Sequence, residues 1–308
     1  MSAGALVHVG ELTIDDVVSE DRDVDWKQAG GGALYSAVGA LVWGEDVAVS
    51  AAVGDDYPDD LLREMTSAGV DVAGVHRVPG ARSIGLWLLY EACGARRQLE
   101  KVDGGNMRFL DVQRPPLPPA WLPVAGVHLA PQSSEGHLKG IAEATGSGAI
   151  CTLDLLCEPY IDTRPYLDGS ALRDVDAFLP SLQEVRDLWG HEDACRLGDA
   201  LQALGVGAQL IVKRGAEGAD VLIDGTIVRV PSVTDHVVDP TGAGDAFCGG
   251  FLAGLVETRD PIEAAVRGTV SASFVCQTRG AFEAARSIHP PTALRRAQVA
   301  RHGIRKVS

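Results

Sequence analysis

The sequence predicts an α/β protein: a mostly parallel sheet with helices on both faces and a smaller β-sheet attached. Three observations carry this. Apolar runs of strand length alternate with helical patterns through most of the 308 residues, the pattern of a sheet buried on both sides. One stretch, residues 70–102, breaks the alternation with three strand-like segments and no helix between them. The chain is long for one average domain and short for two large ones, and its 46% hydrophobic and 22% charged content is ordinary for a globular protein. A single domain over residues 1–308 is the reading that fits.

The elements follow in order. Residues 5–10 (ALVHVG) and 46–53 (DVAVSAAV) read as buried strands. Between them, 33–43 (ALYSAVGALVW) reads as a helix apolar on most faces, and 57–68 as an exposed amphipathic one. Later strands are predicted at 126–130, 149–153, 176–179 and 209–213, with helices near 135–145, 181–189 and 193–204. Within 70–102 the segments DVAGVHRV, SIGLWLLYE and RRQLEKV are separated by the short turns PGAR and ACGA. Such turns predict antiparallel pairing into a small projecting sheet, joined by residues 12–27. The alternative is an edge extension of the main sheet. RPPLPPAWLP, residues 114–123, is a proline-rich connector back into the body. Asp260-Pro261-Ile262-Glu263 is a helix start, with Asp260 as N-cap and Pro261 at the first helical position.

The net charge of −15 repels nucleic acid and anionic lipid, so neither is an expected partner; a small molecule is. No apolar run reaches about 18 residues, the length a membrane span needs. The N-terminal MSAGALVHVG lacks the basic region and cleavable apolar stretch of a signal peptide, and a cytoplasmic protein is expected. The cysteines, Cys93, Cys151, Cys157, Cys195, Cys248 and Cys276, form no C-x-x-C pair and predict free thiols in a reducing compartment. His128 and His137 are too isolated for a metal pair. Asp154 stands at the end of a strand, where ligand crevices of α/β sheets form.

Chemistry concentrates in DPTGAGDAFCGGFLAGLVE, residues 239–257, which begins as a loop and runs into an apolar helix. Gly242, Ala243 and Gly244 open that helix, where unpaired amides and the positive end of the helix dipole make an anion site. Asp245 follows in the first turn, where the dipole favours its ionised form. A carboxylate beside an anion hole can accept a hydroxyl proton while the hole stabilises a transferring phosphoryl group. The plainer alternative is a helix cap followed by packing glycines.

The nonapeptide DPTGAGDAF closely resembles the C-terminal signature of the ribokinase-like (PfkB) carbohydrate kinases, usually D-T/P-T-G-A-G-D-x-F/Y. The resemblance runs through nearly the whole chain in the correct order. It implies a three-layer α/β/α sandwich with a small β-sheet lid, ATP and Mg²⁺ as cofactors, potassium in many relatives, and a homodimer through the lid. It implies Asp245 as catalytic base, with Gly242, Ala243 and Gly244 as the anion hole. In GELTID, residues 10–15, Asp15 matches the aspartate that contacts substrate hydroxyls; alone it would read as a turn residue. Gly30 and Gly31 match the glycine pair that approaches the substrate, and KRGAEGADV, residues 213–221, matches the nucleotide loop with Lys213, Gly215 and Gly218. Asp239 and Thr241 occupy the segment that holds a monovalent cation in relatives.

Two departures stand out. The asparagine common after the glycine pair is replaced in ALYSA, with Leu34 or Tyr35 in its place. The N-x-x-E motif associated with magnesium reads Ser181-Leu182-Gln183-Glu184, so Glu184 is either the carboxylate of a magnesium water shell or a first-turn helix acid. The lost asparagine would leave a buried sugar hydroxyl unpaired. Tyr35, with Trp87 or Tyr90 from the lid, offers a ring face instead, unless Tyr35 simply packs in the core. The expected activity is transfer of the ATP γ-phosphoryl group to a hydroxyl of a sugar-like, polyol or nucleoside substrate, with a neutral ring-bearing alcohol such as a nucleoside or cyclitol preferred. A catalytically silent relative that senses a nucleoside or polyol is the alternative. A dinucleotide-dependent oxidoreductase does not fit, because GELTID is not G-x-G-x-x-G.

Overall fold

The computed structural model describes residues 4–19, 24–90, 96–101 and 105–307. The turn predicted at 92–95, with Cys93 in it, lies outside these residues. In chain order the elements are β1 (Leu6–Val9), β2 (Thr13–Ser19), β3 (Asp25–Gly30), α1 (Gly32–Leu41), β4 (Val47–Gly54), α2 (Asp59–Ser67), β5 (Val70–Val78), β6 (Ile84–Tyr90) and β7 (Arg96–Glu100). There follow α3 (Met107–Gln113), β8 (Gly126–Leu129), α4 (Ser134–Ser147), β9 (Ile150–Leu153), α5 (Arg164–Leu167), β10 (Ala177–Phe178), α6 (Leu182–Trp189), α7 (Ala194–Ala203) and β11 (Gln209–Lys213). The last are β12 (Ala219–Ile223), β13 (Thr226–Val230), α8 (Ala243–Thr258), α9 (Pro261–Cys276), α10 (Gly280–Arg286), α11 (Pro290–His302) and β14 (Arg305–Lys306).

Ten strands form one sheet in the order β14-β13-β12-β11-β10-β9-β8-β1-β4-β5. Pairing is parallel from β11 through to β5 and antiparallel from β11 out to β14. Alternation along β1 sends Leu6 into a core shared with α1, α2, α8 and α9, and Val7 and Val9 into the opposite core with α4, α6 and α7. The predicted layers of helix, sheet and helix are thus present. Among the described residues no helix is long and apolar enough to cross a membrane.

A second sheet has the order β3-β2-β6-β7. Its β6–β7 pair is antiparallel, as the sequence predicts, whereas β2 and β6 run parallel. Val70–Val78 is a correction: it was expected in the small sheet and instead lies at the edge of the large one, parallel to β4. The physical reason precedes it in the chain. The helix α2 is the crossover that a parallel β4–β5 connection requires, and its Leu61 and Met65 bury against the sheet. Judging the segment only by the absence of a helix after residue 70 misses this.

Two features aim the site. The sheet order reverses at β1, which lies between β4 and β8, so a crevice opens beyond its C-terminal end. Helix α8 is buried from Ala246 to Leu255 and crosses α1 at backbone contact. A Cβ on Gly249 would lie 1.7 Å from the Ser36 carbonyl oxygen, and one on Gly39 2.1 Å from that of Ala246. Only glycine permits this approach, and it brings the N-termini of α1 and α8 together at the crevice.

Candidate active site

A cavity of about 680 Å³ occupies the crevice. Glu11, Thr13, Asp15, Gly31 and Tyr35 line one end; Glu184, Lys213, Gly215 and Gly218 line the other; Gly242 to Asp245 lie between. Residues far apart in sequence are therefore gathered by strand ends and one helix start. Gly30 does not line the cavity but packs beneath it: a Cβ there would lie 1.9 Å from Asp15 Oδ2.

At the start of α8, Gly242 has φ +75°, a left-handed conformation suited to glycine, and a Cβ on it would meet the Tyr35 ring at 2.1 Å. Tyr35 is thus both buried in the core and part of the cavity wall. The two alternatives offered for it are not exclusive. The Ala243 amide donates to the Pro240 carbonyl at 3.1 Å. It is therefore occupied by the turn. Among the described residues the amides of Gly242 and Gly244 have no protein acceptor. Of the three amides expected to form an anion hole, that of Ala243 is taken up by the turn. Asp245 stands in the first turn of α8 and faces the start of α1, its Oδ1 2.9 Å from where a Cβ on Gly32 would be.

The loop before α8 is internally braced. Asp239 Oδ1 accepts from the Thr241 amide at 2.9 Å and from Thr241 Oγ1 at 2.6 Å. Since the Thr241 hydroxyl proton is used there, the Tyr90 hydroxyl donates to Thr241 Oγ1, at 2.6 Å. Tyr90 belongs to the small sheet, so this bond joins that sheet to the loop. Of the two aromatics on β6, Trp87 does not line the cavity. Leu86 and Leu88 line it, and Trp87, on the other face of β6, packs edge-on against Trp26 with Lys101 over its ring.

At the opposite end of the cavity Lys213 forms an ion pair with Asp154, and Cys248 Sγ lies 3.7 Å from its Nζ. Burial opposes the charge of Lys213, but Asp154, Cys248 and Glu184 outweigh it and hold the pKa above the ordinary lysine value. Glu184 forms a capping box on α6, accepting from the Ser181 amide at 2.5 Å while Ser181 Oγ accepts from the Glu184 amide at 3.2 Å. It also lines the cavity, so the first-turn acid and the cavity carboxylate are one residue. Burial, then the charge of Asp154, push its pKa up to about 7.

Sequence reasoning passed over Glu11, Thr13 and Cys248. Glu11 and Thr13 follow directly on the end of β1, and that position is the available signal. Cys248 is one helical turn beyond Asp245 on the motif helix; burial and Asp154 raise its pKa well above the usual thiol value, which makes it inert rather than nucleophilic.

The pfkB family carbohydrate kinase pattern matches residues 6–287. A cytidine kinase of Thermococcus kodakarensis is 31% identical over 270 residues, covering 85% of this chain and 92% of the relative. A 2-dehydro-3-deoxygluconokinase of Thermoproteus tenax is 26% identical over 279 residues, covering 84% and 82%. Among solved structures, the ribokinase of Arabidopsis thaliana complexed with ribose and ATP superposes with a TM-score of 0.75 at 22% identity, covering 96% of this chain and 99% of that one. At that identity it shows the fold.

Proposed function

The chain belongs to the pfkB family of carbohydrate kinases and is an ATP-dependent phosphotransferase with an alcohol as acceptor, and from that premise we propose Asp245 as its base and a nucleoside or cyclitol as its acceptor. The observation that carries the reading is one cavity that runs from Asp15 past Asp245 to Lys213. An acceptor hydroxyl beside Asp245 loses its proton to that carboxylate as its oxygen bonds to the γ-phosphorus, and the bond from that phosphorus to the bridging oxygen breaks to release ADP. The free amides of Gly242 and Gly244 stabilise the transferring oxygens. Lys213, Gly215 and Gly218 line the end assigned to ATP. Retention of Asp245 beside two open amides supports turnover over a silent sensor.

Magnesium would neutralise phosphate charge. Among the described residues no group of three His, Cys, Asp or Glu is poised to hold a metal, which fits an ion carried mainly by phosphates and water, with Glu184 the carboxylate for its water shell. The small sheet serves as the lid that excludes water. Trp26 and Leu99, 59% and 52% exposed on it, support self-association through that face.

Potassium is expected to raise the rate, because Asp239 and Thr241 line a cavity of about 50 Å³ beside the anion loop. Equal rates in potassium-free and potassium-rich buffer at constant ionic strength would remove that proposal.

For the acceptor, the Tyr35 ring replaces an amide that would bind a sugar hydroxyl. Nucleosides or cyclitols are expected to exceed ribose and fructose in kcat/KM by about tenfold or more, the cost of one unpaired buried hydroxyl. Steady-state kinetics over these compounds tests this; ribose or fructose at the top overturns it. Unchanged preference in Tyr35→Asn would show that Tyr35 does not set it.

A further inference from the structure

The acceptor end of the cavity carries one polar group that the reaction just described leaves unused. Glu11 is only 7% exposed, lines the cavity, and its Oε1 has no hydrogen-bond partner among the described residues. Thr13 Oγ1, also on the wall, is likewise buried and unpartnered. Two orphaned polar atoms at one end of a cavity are costly unless a ligand satisfies them. The surroundings say what kind of ligand. Three carboxyl groups line this region, Glu11, Asp15 and Asp245, and the basic group among the described lining residues, Lys213, is held by Asp154. Nearby Lys101 is paired with Asp16 at 2.8 Å. Arg279 does not line the main cavity; it lines the adjoining small one, which shares Asp15, Tyr35 and Thr241 with it.

We propose that Glu11 is an acceptor-binding residue, and that the carboxylates of Asp15 and Asp245 beside it restrict the enzyme to acceptors without a carboxylate or phosphate group. The inference rests on the kinase reading and deepens it. Burial, then Asp111, Glu100, Asp15 and Asp245, raise the Glu11 pKa well above the usual carboxylate range. In its neutral form the carboxyl donates one hydrogen bond and accepts another, which suits an acceptor hydroxyl. An anionic acceptor would meet Asp15 and Asp245, while among the described lining residues of the main cavity the one cation, Lys213, is held by Asp154.

Initial rates with ATP distinguish the outcomes. The neutral acceptors are cytidine, inosine, 2-deoxyribose and myo-inositol; the anionic ones are 2-dehydro-3-deoxygluconate and 3′-CMP. The best neutral acceptor is expected to exceed either anion by about a hundredfold or more in kcat/KM, since like-charge contact in a buried site is strongly penalised. Glu11→Leu should raise the KM for that acceptor about tenfold and leave the KM for ATP unchanged, while Glu11→Gln, which still donates and accepts, keeps most of the affinity. An anion equal to or above every neutral acceptor overturns the proposal and leaves the kinase reading standing, as does an unchanged acceptor KM in folded Glu11→Leu. If Glu11→Leu does not fold, the wild-type panel still decides. Phosphorylation of none of these compounds would overturn the nucleoside-or-cyclitol acceptor of the proposed function, and the present proposal with it.

Discussion

Asp245→Asn lowers turnover by about two to four orders of magnitude, the contribution of a general base, with the fold and ATP affinity retained. The substitution is isosteric, and the first turn of α8 tolerates an amide as well as a carboxylate. What it removes is a proton acceptor beside Gly32 and between the two ends of the cavity. The check is kcat on the best acceptor together with calorimetric ATP binding. Turnover within a few fold of wild type, in a protein that still binds ATP, would assign the base elsewhere.

Gly244→Val lowers turnover by about a hundred- to a thousandfold, the loss seen when an oxyanion donor is blocked, and without touching a reactive side chain. The position is chosen because the fold accepts it. Gly244 is exposed on the cavity wall, and an added Cβ meets only Lys213 Nζ, at 3.7 Å. A branched side chain then occupies the space a phosphoryl group needs to reach the Gly244 amide. Gly242 would be a poor site for the same experiment, because its Cβ would land on the Tyr35 ring and disturb the core. Measured Tm should move little while kcat falls. A folded Gly244→Val enzyme with normal turnover would falsify the anion-hole assignment.

The parts legible in the sequence are those where local chemistry and position coincide. The 239–257 segment combines a loop, small residues and an acid at a helix start, and all three survive as the centre of the cavity. Asp154 could be read from its strand end because parallel strands deliver their C-termini to one edge. Other parts depend on pairing that no local pattern encodes. Val70–Val78 alternates like a half-covered strand in either sheet, and its partner β4 decides the matter. Trp87 and Tyr90 are both aromatic, yet strand parity puts one against Trp26 and the other on the anion loop. Glu11 was hidden for a different reason. An acid whose buried Oε1 has no hydrogen-bond partner among the described residues runs against the rules for stable packing, and no local sequence pattern signals it.

On the proposed roles of the small sheet and the loop before α8, the Tyr90–Thr241 hydrogen bond would tie two binding events into one equilibrium. With the small sheet as the proposed lid and the loop of Thr241 as the proposed phosphate contact, an acceptor that draws the sheet down would also favour the loop arrangement that ATP needs. Linkage then demands symmetry: whatever factor the acceptor adds to ATP affinity, ATP adds to acceptor affinity. Under those roles the same hydroxyl would couple arrival of both substrates, so that each bound alone would bind less tightly than with the other present.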